Sequence, residues 1–241
     1  MENESESLVS FRHYNYPYPD SFILKNKYNI KNYQKLDTIC IHNSAQEIIN
    51  MCKEPLPKQF DSSYLKYIHT RLFMKTFEWA GYTRDIPFMF LDGTCACQPK
   101  VKKVISNTFF AIGEQIQTDL KKFDKMLAEK NNLQGLSPEE FANEAARMFS
   151  FLNYIRPFKK GNRRTQCFFF QRLAQASGYT LDFSIIKEDR MLSASISALR
   201  DNDLEPMQSI FKEILVSNPL HIAYNKRNLR KSEYNNCLRM Y

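Results

Sequence analysis

A chain of 241 residues is long enough to bury one full hydrophobic core and short for two large domains. Hydrophobic residues make up 43% and Gly and Pro are scattered, which excludes a disordered or collagen-like chain and points to a helix-rich globule with an aromatic core of Phe and Tyr. The net charge of +8 admits anionic partners of several kinds and selects none of them.

The start, Met1-Glu2-Asn3-Glu4-Ser5-Glu6, is acidic where a secretory leader is basic and then apolar, and no apolar run reaches the length of a transmembrane helix, so the chain reads as soluble. Residues 1–35, rich in Tyr, Asn and Pro, lack a helical period and are expected to wrap the body as an extended arm. Helices are then predicted over Leu36–Met51 and Ser63–Trp79, the second carrying Leu65, Ile68, Leu72, Phe73 and Phe77 at helical spacing, with Gly81 breaking the pattern. From Arg84 to Gln98 two short apolar stretches flank Asp92-Gly93, which signals a β-hairpin. Cys95-x-Cys97 lies in it; a zinc site needs a second ligand pair at matching spacing, so these read as two reduced thiols on one strand face and no metal is expected.

Pro99 is expected to open a long helix to about Lys130, with Val101, Val104, Ile105, Phe109, Ile112, Ile116, Leu120, Phe123 and Leu127 as its buried stripe. Ser137-Pro138-Glu139-Glu140 has the form of a capping box and starts a helix that stops at Arg156-Pro157. The next, from Gly161 to Gly178, carries apolar residues on more than one face, as a central helix would. Two more are predicted over Ser184–Leu199 and Leu204–Leu215, followed by a basic tail from residue 217 to 241. The fold class is all-α, a helical bundle with one small hairpin.

The chemistry concentrates at residues 156–167. A Pro-terminated helix, a Gly161-Asn162 turn and a new helix place backbone N–H groups at a positive dipole end, a general anion-binding arrangement. Arg156, Lys159, Lys160, Arg163 and Arg164 fall within nine positions with no acid among them. A solvated basic turn is the plainer reading of such a cluster; the Pro-Phe and Gly-Asn punctuation argues against it.

This segment resembles the Fic motif, His-Pro-Phe-x-Asp/Glu-Gly-Asn-Gly-Arg-x-x-Arg, through Pro157, Phe158, Gly161, Asn162 and Arg164. The run Phe77 to Arg84, the hairpin, Asn131 to Ser137, and Leu152-Asn153-Tyr154 are similar to the Fic domains of Bartonella effectors, so the resemblance extends from about Tyr18 to Leu215. It implies a Fic domain over residues 36–216 that holds ATP phosphates on the motif turn and passes AMP to a hydroxyl of a host protein. That target's backbone would dock beside a flap at 84–98, against Ile86, Phe88, Phe90, Gly93 and Thr94. It also implies type IV secretion from the bacterial cytoplasm into the host cytoplasm, with the tail leading into a further domain.

Four departures bear on the chemistry. The family's base is His, and Arg156 is never deprotonated; the family's magnesium ligand is acidic, and Lys160 repels a cation. Arg163 replaces a Gly that admits phosphate to the backbone, and Cys167 replaces an Arg that contacts terminal phosphates. Loss of a general base alone costs about 10²–10⁴-fold in rate. His69 and His221 are far from the turn in sequence and offer no evident substitute, and Glu213, in Ser209-Ile210-Phe211-Lys212-Glu213, reads as an ordinary helix residue rather than an inhibitory one. The resulting expectation is a pseudoenzyme that binds ATP or another phosphate ligand without magnesium through Lys160, Gly161, Asn162, Arg163 and Arg164, or serves an unidentified host protein. The alternatives are a divergent nucleotidyltransferase acting on hydroxyl side chains and, from charge alone, an acidic-membrane or nucleic-acid binder; no nucleic acid is expected.

Overall fold

The computed structural model describes residues 16–102 and 110–216. Its helices are α1 (Tyr33–Met51), α2 (Ser62–Phe73), α3 (Gln115–Glu129), α4 (Pro138–Ile155), α5 (Asn162–Ala176), α6 (Glu188–Arg200) and α7 (Glu205–Ile214). Two antiparallel strand pairs accompany them, β1 (Phe88–Met89) with β2 (Cys95–Ala96) and β3 (Thr180–Leu181) with β4 (Leu215–Val216). Among the described residues no helix is long and apolar enough to cross a membrane.

The core forms around α4 and α5. Ser137 caps α4 by a reciprocal bond with Glu140, as the sequence pattern requires. Phe168, Phe169 and Phe170, consecutive on α5, are all buried; three successive positions sweep about 200° of a helix, so α5 has neighbours on most sides. Phe149 of α4 meets Phe211 of α7 edge to face at 5.4 Å, and Phe183 completes that cluster. The β3–β4 pair, Thr180 opposite Val216 and Leu181 opposite Leu215, ties the chain after α5 to the chain after α7.

The expected arm is irregular backbone from Tyr16 to α1, closed by a bridge between Pro17 and Leu24. Tyr16 is buried edge-on against Trp79, with ring centroids 5.3 Å apart, and Lys27 N–H donates to the Thr76 carbonyl at 2.9 Å. Residues 1–15 of the arm and the basic tail from 217 lie outside the described residues.

Two predicted helices are shorter than expected. α2 ends at Phe73 rather than Trp79, because successive turns after it bring the Phe77 and Trp79 rings onto one another at 4.6 Å. On a helix those positions would face nearly opposite ways. The long helix expected from Pro99 begins only at Gln115: residues 99–101 and 110–114 are non-helical, Gly113 takes a positive φ of 51°, and residues 103–109 lie outside the described set.

Arg84 supplies the reason. It is fully buried, and its guanidinium donates to the carbonyls of Arg156 (2.8 Å), Gln98 (3.0 Å), Pro99 (2.8 Å), Ala111 (2.6 Å) and Ile155 (3.4 Å). Its backbone N–H donates to Pro157 and its carbonyl accepts from Gln98. Carbonyls recruited by a side chain are withdrawn from a helix ladder, so Gln98, Pro99 and Ala111 are held outside a helix. Removing the side chain strands several buried acceptors, at about 1–3 kcal/mol each. Arg84→Ala should therefore lose about 3–5 kcal/mol of unfolding free energy in urea titration, and Arg84→Lys, with three donors on a point charge, should recover less than half of it.

Candidate functional site

The turn between α4 and α5 is built to a fixed shape. α4 ends with Arg156 in the left-handed region, φ 45°, ψ 61°, and Pro157 prevents the helix from continuing. Asn162 clamps the loop from inside, its Oδ1 accepting Phe158 N–H at 2.9 Å and its Nδ2 donating to the Phe158 carbonyl at 2.7 Å. Gly161 caps α5 with φ 83°, and a Cβ there would fall 2.3 Å from two ring atoms of Phe73, so both the backbone and the space require glycine.

His69 supports the turn from below, a role its sequence position concealed. The ring is fully buried and stacks on Phe158 with centroids 3.8 Å apart and planes within 5°. Nδ1 accepts Gly81 N–H at 2.8 Å, so the proton sits on Nε2, which donates to the Lys160 carbonyl at 3.0 Å. Burial pulls its pKa down to about 3. Both nitrogens are used in holding backbone, which fits His69 to positioning rather than proton transfer.

The basic side chains of the segment go in different directions. Arg164, expected at the anion, turns instead into the body: it is 8% exposed, donates to Ser44 Oγ at 2.7 Å, and lies over Phe73. Lys160, likewise expected at the anion, reaches α1, where Nζ pairs with Asp37 at 3.0 Å and sits over Tyr33. Lys159 runs under the hairpin to Gln98 Oε1 at 2.8 Å, its pKa lowered first by burial and then by Arg156 and Arg84. Asn162, also expected to bind, has its side chain engaged with Phe158.

Arg156 and Arg163 face a cavity of about 410 Å³. Phe110, Phe149 and the α6 residues Met191, Leu192, Ile196 and Leu199 form its apolar wall; Lys102, Asn153, Gln166, Ser195, Glu188 and Arg200 add polar groups. Arg156 rests its guanidinium 4.9 Å from the Phe110 ring, and burial lowers its pKa. Arg163 donates to Glu188 at 2.9 Å. Cys167 is buried, its thiol pushed up to about 12 by desolvation, the Arg163 charge opposing that shift. A slot with one apolar wall and a guanidinium pair suits a flat ring joined to an anion.

The hairpin lies beside this turn. Phe90 N–H donates to the Thr94 carbonyl at 2.8 Å and Gly93 takes φ 80°, so Asp92-Gly93 forms the expected turn. Asp92 pairs with Lys25 of the arm at 2.9 Å, and its carboxyl is held down to about 2, chiefly by hydrogen bonding to Thr94. Of the residues expected to meet a target, Ile86, Gly93 and Thr94 are exposed and Phe88 is half-buried, but Phe90 faces inward at 4% exposure under Lys25. Sequence reading missed the most open side chains, Met89 and Leu91, at 67% and 94%. Glu213 pairs with Arg190 on the surface.

A model of the Fic/DOC family matches residues 59–174. A protein adenylyltransferase of Bartonella henselae is 50% identical over 225 residues, covering 93% of this chain, which spans 41% of that relative's length. The N-terminal Fic domain of a VirB-translocated Bep effector protein from Bartonella quintana, with bound ADP, superposes with a TM-score of 0.83 at 48% identity, over 86% of this chain and 97% of that one. BepC of Bartonella tribocorum, with bound AMPPNP, gives 0.83 at 45% identity, over 86% and 99%.

The neutral His69 makes stability depend on pH. Its folded pKa lies below the unfolded value near 6.5, so the unfolded chain binds the extra proton and stability falls as pH drops from about 6.5 toward 3. Between pH 7.5 and 5 this group should remove about 2 kcal/mol. Urea unfolding of His69→Asn should show lower stability at pH 7.5 with a shallower pH slope; an unchanged slope would refute the assignment. Gly161→Ala should cost about 2–4 kcal/mol from strain and overlap, part of it recovered by Phe73→Leu.

Proposed function

The chain belongs to the Fic/DOC family, and from that membership we propose that it is a Bartonella-type effector module that binds a nucleotide on the Fic turn without transferring it. The observation that carries this reading is the division of the motif's side chains: those that shape the turn are in place, while the motif groups lining the cavity are Arg156, Arg163 and Gln166, none of which accepts a proton at neutral pH.

The residues do not fit a phosphate-bridging magnesium ion. Position 160 is a lysine paired with Asp37, and Glu188, the one carboxylate among the described residues lining the cavity, is held by Arg163. The ligand's charge is met by guanidinium groups in place of a metal. His69, buried and bonded through both nitrogens, gives no support to a divergent transferase using a second base.

The relatives with ADP and AMPPNP make an adenine nucleotide the first ligand to test. The base would lie on the α6 wall and the phosphates at the mouth of α5. Exposed Ile86, Met89 and Leu91 support the hairpin as the docking surface for a host protein, and kinship with a VirB-translocated effector supports translocation by a type IV apparatus.

Calorimetric titration with ADP, with and without magnesium, tests the nucleotide reading. Binding is expected to be independent of magnesium and to weaken about tenfold or more in Arg156→Ala; Arg164→Ala is the wrong probe, since that side chain packs on α1. Labelled ATP should leave host proteins unmodified. Strict magnesium dependence or transferred label would overturn the proposal.

A further inference from the structure

The cavity carries a carboxylate of its own, placed where a ligand's anion would go. Glu188 is the first residue of α6 and Arg163 the second of α5, and the pair joins the two helix starts across the cavity wall. Arg200, another cation lining the cavity, is instead bound in fork fashion by Asp201, at 2.7 and 2.8 Å.

The pair is built to be exchanged. Glu188 is 68% exposed at its side chain and Arg163 34%, so water competes with the bond and its net worth is small. Glu188 meets Arg163 through a single bond, Nη1 to Oε1 at 2.9 Å, so the guanidinium keeps donor capacity that one carboxylate oxygen does not use. A phosphate has three oxygens to offer Arg163 and Arg156, is less screened inside the cavity than Glu188 is at its rim, and gains from the positive end of α5. The carboxylate, released, stays at the favourable start of α6.

We propose that Glu188 is a displaceable counter-ion: the phosphate of an incoming ligand takes its place on Arg163. This rests on the reading of the cavity as a nucleotide site. Glu188 then sets the affinity threshold of that site, holding Arg163 in place while empty and repelling any anion that does not displace it.

The test is calorimetric titration of ADP without magnesium into the whole chain, its Glu188→Gln and Arg163→Ala variants and the double variant, with circular dichroism to establish that each is folded. Glu188→Gln should tighten binding about threefold to tenfold, Arg163→Ala should weaken it about tenfold, and in the Arg163→Ala background the Glu188→Gln gain should vanish. Equal affinity of Glu188→Gln and the parent, or the same gain with Arg163 absent, overturns the counter-ion role alone. No ADP binding by parent or Glu188→Gln overturns the nucleotide reading and this proposal with it.

Discussion

The buried guanidinium of Arg84 is the constraint on which the functional half of the molecule depends. A charged group without access to water is tolerated only when its donors are met, and here carbonyls from three separate stretches meet them: the end of α4 and its turn, the exit of the hairpin, and Ala111 before α3. Apart from Ile155, the last residue of α4, the carbonyls that Arg84 meets lie outside helix and strand, so ladder bonds do not hold them in place. Burial lowers the Arg84 pKa to about 10, which still leaves it charged at neutral pH. The hairpin and the turn are therefore one rigid object, joined through a residue that faces neither ligand nor solvent.

Within that frame, shape and reactivity are carried by different residues. Pro157, Phe158, Gly161 and Asn162 fix the course of the turn, and His69 and Phe73 pack beneath it. The residues that differ from the Fic pattern have found separate surroundings: Lys160 on α1, Cys167 in the core, Arg156 over Phe110, and Arg163 at the rim of the cavity. The scaffold can thus stay intact while the side chains that project from it change.

Patterns with a period or a punctuation mark were legible in the sequence: the apolar stripe of α2, the Ser137 box, the all-round apolarity of α5, Asp92-Gly93, and the turn itself. What escaped was long-range. Nothing near Arg84 in sequence signals that five carbonyls await it, and its hold on Gln98, Pro99 and Ala111 keeps the described residues on either side of 103–109 out of the helix expected from Pro99. His69 reads as one more residue of α2, since its partners at Gly81 and Lys160 are joined to it only by the fold. The direction of each motif side chain was equally hidden: a run of cations shows charge, and only the neighbours Asp37, Ser44 and Gln98 decide which of them remain for a ligand.

The pairing of Lys160 with Asp37 has an evolutionary side. A single substitution that put an acid at position 160 would set two carboxylates against each other across the gap that holds an ion pair. An acid at position 160 is therefore unfavourable unless α1 changes in the same step. The lysine of the motif is buttressed from a helix more than a hundred residues away, so the side chain that position 160 can carry is set in part by α1.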